Sequence, residues 1–396
     1  MNKSVWIFLL IFIFLGLSGT TIPQDKPSKQ FVYLLTLEGM IDTNMARSLV
    51  KKFEQVSAQT GKVVILEIDT PGGELEQANK ICREIDRISQ GMVPVYAYVK
   101  RHAWSAGALI ALACDKIYMT EQASIGSAEV KLFSPLFGMK NAGEKLLSAV
   151  RADFRAYAEK HDYPKALAEA MVDPSIEVRE IHYRGERFFK TNEELLQMRN
   201  QMDADQIIDK GVVVPAGKLA NFTANEAKKY GFCKEIYATR ESMLKETGLE
   251  SSELKTLKDR KEDAIVNFLT SDTVRVLLIA IGILGILIEL WTPGFGIPGI
   301  TGLTCLALFF VGGYLAETAA IWEILIFLLG LVLLGIEIFV IPGFGVVGIA
   351  GILCCLIGLL LSFQTFVLPN NEEEVNIFMR NVFKLKIGRA SCRERV

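Results

Sequence analysis

The chain holds 396 residues with a formal net charge of −2 and 22% charged residues. That length exceeds one ordinary compact domain, and the near-neutral charge, with no Lys/Arg run interleaved with aromatics, excludes a nucleic-acid partner. Residues 25–265 mix charged and apolar side chains as a soluble domain does, whereas residues 274–363 carry only Arg275, Glu289, Glu317, Glu323 and Glu337, a composition suited to lipid.

At the front, Lys3, an apolar run over residues 5–17 and the small residues Ser18-Gly19-Thr20 have the layout of a secretory signal spanning residues 1–20. The run is short for a spanning helix, and it predicts that the soluble part lies outside the cytoplasm. Cys82, Cys114 and Cys233 are odd in number and far apart in this part, which fits core packing better than a disulfide framework or a metal site.

Phe31-Val32-Tyr33-Leu34-Leu35-Thr36-Leu37 and Val63-Val64-Ile65-Leu66-Glu67-Ile68 are β-branched and aromatic runs, each stopped by turn residues. Between them Met45, Leu49, Val50, Phe53 and Val56 recur at helical spacing, as do Leu75, Ala78, Ile81, Cys82, Ile85 and Ile88 after Gly72-Gly73. Further strands are expected over 94–99 and 116–119, with an apolar helix over 103–113 between them. The alternation predicts an α/β fold with mostly parallel strands. A long amphipathic helix follows over 142–160, then a polar, irregular insertion over 173–215, then a closing helix and strand over 224–237. Residues 246–270 read as a charged linker, helical or flexible, so the soluble domain is bounded at 29–245.

One hydroxyl stands out. Ser105, in Trp104-Ser105-Ala106-Gly107, sits at an apolar helix start, where unpaired N–H groups and the helix dipole favour developing negative charge. Gly72 and Gly73 follow a strand end and can turn backbone N–H groups into a cleft as an oxyanion hole. A serine needs a base, and none of His102, His161 and His182 is well placed. Lys145 opens the long helix, and a lysine can serve when desolvated, giving a serine-lysine dyad. Taken singly, Ser105 is also a plain helix cap, Gly72-Gly73 a tight turn and Lys145 a solvated lysine; their joint occurrence in this order favours catalysis.

The segments Leu37-Glu38-Gly39-Met40-Ile41-Asp42, Asp69-Thr70-Pro71-Gly72-Gly73, Ser105-Ala106-Gly107 and Ala123-Ser124-Ile125-Gly126-Ser127 resemble the long-form NfeD proteins, membrane-bound serine proteases related to Clp protease and signal peptide peptidase A. The resemblance implies a Clp protease/crotonase-like α/β domain followed by an α-helical transmembrane domain. It also implies Ser105 as nucleophile, Lys145 as base with Lys140 as a rival, and Gly72 and Gly73 at the oxyanion. No cofactor or metal is implied. The partners implied are a protein or peptide substrate, stomatin- or flotillin-like membrane proteins, membrane lipid and further copies of the chain in a homo-oligomer. A non-proteolytic scaffold for stomatin- or flotillin-like proteins is the rival reading. A crotonase-type acyl-CoA enzyme shares the fold, but export argues against it.

Over 271–366, four apolar stretches near 274–290, 299–315, 321–341 and 344–363 are each about long enough to span a bilayer. Pro293-Gly294-Phe295-Gly296 and Pro342-Gly343-Phe344-Gly345, preceded by Glu289 and Glu337, make an internal repeat of two hairpins, with the acids expected near the interface. Residues 367–386 turn polar and are expected to begin a further domain, by resemblance a small OB-type barrel. Residues 387–396 resemble a translated sequencing adapter, which predicts that the natural chain continues past about Lys386.

Overall fold

The computed structural model describes residues 31–56, 61–134, 138–258, 261–291, 296–316, 318–339 and 345–363. The signal segment 1–20, residues 367–396 and the Pro-Gly-Phe parts of the repeat fall outside these. Two compact units divide after Lys258.

In the first unit, β1 (Phe31–Glu38), α1 (Thr43–Phe53), β2 (Gly61–Thr70), α2 (Leu75–Gln90), β3 (Val95–Trp104), α3 (Ala106–Ala113), β4 (Lys116–Met119) and β5 (Ser124–Gly126) follow one another. β1, β2 and β3 pair in parallel, as alternation of strand and helix dictates. β3 is long enough to have two partners on one side: residues 96–99 pair with β4 and residues 102–104 with β5, both in parallel. Its last turn of chain therefore projects beyond β4. The helix expected from Ala103 begins instead at Ala106, because Ala103 and Trp104 complete the ladder to Ile125 and Gly126. All eight residues of α3 are buried; its four alanines and its glycine let it sink between sheet and neighbours.

β6 (Lys131–Ser134) and β7 (Gly138–Asn141) form a hairpin, followed by α4 (Glu144–Lys160) and α5 (Lys165–Ala170). The insertion expected to be irregular is an antiparallel sheet of β8 (Val178–Tyr183), β9 (Glu186–Thr191) and, after α6 (Asn192–Gln201), β10 (Ile207–Val214). Ile181, Leu195 and Met198 give it a small core of its own. β11 (Asn221–Thr223), α7 (Ala224–Tyr230) and β12 (Cys233–Ile236) close the main sheet. The expected linker is corrected in part: after α8 (Arg240–Glu246), β13 (Glu253–Thr256) pairs in parallel with β1, so the unit runs to Lys258 rather than 245. Cys82, Cys114 and Cys233 are free and buried. Burial pushes the Cys82 and Cys114 thiols well above their ordinary range and Cys233 up to about 12, so they are inert packing residues.

The second unit is helical: α9 (Lys261–Leu269), α10 (Asp272–Trp291), α11 (Ile297–Leu315), α12 (Ile321–Phe339) and α13 (Val346–Phe363). The four apolar stretches do form four helices. Among the described residues α11 alone is long and apolar enough to cross a membrane by itself, with the bent pair Asp263–Leu269 and Thr273–Glu289 as a second candidate; the apolar stretch Val346–Ser362 is shorter. α10 packs on α11 and α12 on α13 through glycines. A Cβ at Gly285 would lie 2.6 Å from the Pro298 carbonyl, and one at Gly330 would lie 2.6 Å from the Cys355 nitrogen. Within each hairpin the acid turns onto the next helix. Glu289 accepts the N–H groups of Gly296 and Gly299, and Glu337 accepts that of Gly345. The repeated acids are thus helix-start caps, which satisfies orphan donors with a charge the dipole favours.

Candidate active site

The end of β2 and the end of β3 meet at the glycine turn. Ile41 donates its N–H to the Gly72 carbonyl at 2.9 Å and accepts the Glu74 N–H at 2.8 Å, a parallel bridge that straddles Gly73. Gly72 takes φ +110, open to glycine, and its N–H donates to Thr70 Oγ1 at 3.0 Å. The bridge leaves the Gly73 N–H outside its two bonds. Neither glycine can be replaced without a clash: a Cβ on Gly73 would lie 2.2 Å from the Ile41 carbonyl oxygen, and one on Gly72 would lie 2.6 Å from Ser105 Cβ and 3.1 Å from its Oγ.

Ser105 is the hinge between β3 and α3. Its N–H donates to the Gly126 carbonyl at 2.9 Å, and its backbone takes φ 53, ψ −123, a region that costs a side-chain-bearing residue roughly 1–3 kcal/mol. The hydroxyl makes no cap hydrogen bond to the helix it precedes, so the plain helix-cap reading does not describe it. The first bonds of α3 are made by Ala108 and Leu109 to the Ser105 carbonyl, leaving the N–H groups of Ala106 and Gly107 as orphan donors beside the hydroxyl. Sequence reasoning missed Ala106, whose only signal was its place as the first helical residue.

The histidines are engaged elsewhere. His102 Nδ1 lies 3.4 Å from Asp69 Oδ1, and its ring packs 4.2 Å from that of Trp104. Asp69 also holds Arg101 through Nε at 2.8 Å, tying the ends of β2 and β3 together. His182 pairs with Glu180 at 2.8 Å. His161 ends α4, where burial and the neighbouring Lys160 charge hold its pKa below the ordinary value. Lys145 is the second residue of α4; it is exposed and has no hydrogen bond to Ser105. Lys140 lies on β7 opposite Leu132. The structure therefore packs Gly72 against Ser105, with Gly73 next along the turn, and leaves both lysines on the segment that follows. A cavity of about 590 Å³ lined by Glu67, Asp69, Tyr98, Arg101 and Arg240 lies beside the strand ends, and neither Ser105 nor the two glycines line it.

Residues 31–200 match the family of the NfeD1b N-terminal domain, and residues 273–382 match the NfeD integral membrane domain. The membrane protein NfeD1b of Bacillus subtilis is 29% identical over 84% of this chain and 67% of its own length. The membrane-bound protease PH1510 of Pyrococcus horikoshii is 24% identical over 80% of this chain and 65% of its own. The chain thus spans about two thirds of the length of these relatives. Structural neighbours include the 1510-N membrane protease specific for a stomatin homolog from Pyrococcus horikoshii, 18% identical with a TM-score of 0.39, covering 61% of this chain and 100% of that one. ClpP1 from Listeria monocytogenes is 16% identical with a TM-score of 0.34, covering 53% of this chain and 94% of that one. With both domains in order along one polypeptide, the chain combines an NfeD1b N-terminal domain with an NfeD integral membrane domain and is homologous to NfeD1b and to a membrane-bound protease.

Proposed function

We propose that this chain is a membrane-anchored serine endopeptidase in which Ser105 is the nucleophile, Lys145 the general base and the glycine turn the oxyanion site. The observation that carries the reading is Ser105 itself: a non-glycine residue held at φ 53, its hydroxyl uncapped, against a glycine whose Cβ would strike it. Strain of this size persists where surrounding bonds over-determine it, and it clusters at working sites. Homology to a membrane-bound protease supports the same class.

In this mechanism Lys145 Nζ takes the hydroxyl proton as Ser105 Oγ attacks the peptide carbonyl carbon. The carbonyl electron pair moves onto oxygen, which the Gly73 N–H and the orphan N–H groups at the start of α3 receive. The intermediate collapses, the C–N bond breaks and Lys145 returns the proton to the leaving amine. Water then hydrolyses the serine ester by the reverse proton path. Lys145 must come within about 2.6–3.2 Å of the hydroxyl for this, a contact that can tighten only with substrate bound. We place the substrates among membrane-associated proteins of stomatin type, the substrate named for the Pyrococcus horikoshii neighbour, and the α/β unit on the extracytoplasmic side that the apolar run at 5–17 predicts.

The test uses the full chain in detergent or liposomes with a peptide library. Ser105→Ala and Lys145→Ala are expected to stay folded and lose cleavage by about 10⁴-fold or more, while Lys140→Ala keeps it. Undiminished cleavage by Ser105→Ala would remove the nucleophile; a silent Lys145→Ala together with an inactive Lys140→Ala would reassign the base. Failure of Ser105 to react with a serine-directed fluorophosphonate would favour the scaffold instead.

A further inference from the structure

Thr70 is the last residue of β2 and is fully buried, at 0% exposure, although it carries a hydroxyl. Its Oγ1 donates to the Gly39 carbonyl at 2.6 Å and accepts the Gly72 N–H at 3.0 Å. Its Cγ2 methyl stands 2.4 Å from where a Cβ on Gly107 would be, so the first turn of α3 rests directly on it. Its backbone pairs with Ala103 of β3, two residues before Ser105. One side chain thus touches the turn after β1, the glycine turn after β2 and the helix that Ser105 begins.

The consequence for the turn is specific. Two successive amides could point at an oxyanion, but an N–H bonded to a buried hydroxyl is already spent, and freeing it would strip that oxygen of the donor it accepts, while its own hydrogen stays on the Gly39 carbonyl. We propose that Thr70 is a positioning residue for hydrolysis. By holding the Gly72 amide it commits the Gly73 amide as the turn's donor, and by its methyl it sets the depth of the α3 start. This rests on the reading of Ser105 as nucleophile. It gives the threonine a task that its place at the end of an apolar strand, before Pro71, does not otherwise require.

The near-isosteric Thr70→Val keeps the methyl against Gly107 and removes only the hydroxyl; Thr70→Ser does the reverse. In the full chain, with active sites counted by fluorophosphonate titration, Thr70→Val is expected to lower kcat per titrated site about 100-fold, the effect of roughly 1 Å of misplacement, with KM within about twofold. Thr70→Ser is expected to recover most of that loss. A merely structural role would reduce the number of titrated sites and leave kcat per site alone. Wild-type kcat in Thr70→Val alongside an inactive Ser105→Ala would overturn the positioning role while leaving the nucleophile standing; cleavage by Ser105→Ala would overturn both. A second measurement needs no variant. In the wild-type chain the Gly72 amide should exchange with deuterium at least about 10-fold more slowly than the Gly73 amide, and equal rates would refute the proposal.

Discussion

The β3–α3 hinge, packed on the glycine turn after β2, and the stretch leading into α4 supply the two halves of the proposed dyad, and they are held in opposite ways. Around the turn, backbone bonds from Ile41, Glu74 and Gly39 and the buried Thr70 hydroxyl hold the chain in place, and the two glycines have no room for a Cβ. Before α4, a Cβ on Gly143 would meet nothing within 4 Å, and Lys145 is exposed. That helix takes its position further along, from buried Val150, Phe154 and Ala158 and from Arg151, which bonds Glu144 and Asp173 at 2.5 Å each. A strained nucleophile needs a surround that cannot relax, so it sits where backbone bonds are dense. A base needs only reach, and a long side chain on a helix start provides that without a rigid frame.

The contrast breaks first at the glycines. Gly73→Ala drives a Cβ to 2.2 Å from the Ile41 carbonyl, which is backbone and can yield only by opening the bridge. A loss of about 3 kcal/mol is expected, lowering the melting midpoint of the α/β unit by about 6–12 °C, with cleavage abolished. Gly143→Ala, at the start of α4, should stay within about 1 kcal/mol. Equal shifts for the two in differential scanning fluorimetry would mean that the turn is no more constrained than the helix start.

A smaller effect is expected at Asp69. Asp69→Asn keeps the side chain's shape but removes the charge that faces Arg101 and His102 across the ends of β2 and β3. Arg101 is 64% exposed, so water screens the pair and the loss should be about 0.5–1 kcal/mol. Because the two strand ends carry the glycine turn and Ser105, kcat should fall further than stability alone explains. A fall in Tm with unchanged kcat per titrated site would confine Asp69 to the framework.

Much of this arrangement can be read from residues alone, for physical reasons. Val63 to Ile68 reads as a nearly unbroken apolar run because that strand is buried on both faces, and Leu75 to Ile88 carries a helical period because that helix buries one face. The segment motifs likewise place Ser105 and Gly72-Gly73 near each other. What eludes the sequence is structure that burial does not encode. β13 is exposed at all four residues and joins the sheet through backbone pairing with β1, so no hydrophobic pattern announces it. β8 and β9 are short and charged, and they read as loop until paired. Strand β3 outruns its expected end because Trp104 finds Gly126 as a partner, a fact of tertiary pairing. Which glycine amide remains free depends on where the Thr70 hydroxyl points.

The smallest effect is the sharpest test of the comparison. Lys145 is exposed, carries no hydrogen bond to Ser105 and follows Glu144, whose bond to Arg151 anchors the helix start independently of it. Lys145→Ala removes no buried contact and places the strongest helix former in the first turn, so stability should change by less than about 0.5 kcal/mol in either direction. Cleavage should nevertheless collapse, because a serine without a base attacks slowly. Unchanged Tm with lost activity would mean that the base contributes nothing to the fold that presents the nucleophile. A drop of several degrees would show Lys145 packed against the site before substrate arrives, and the two halves of the dyad would then be held by the same means after all.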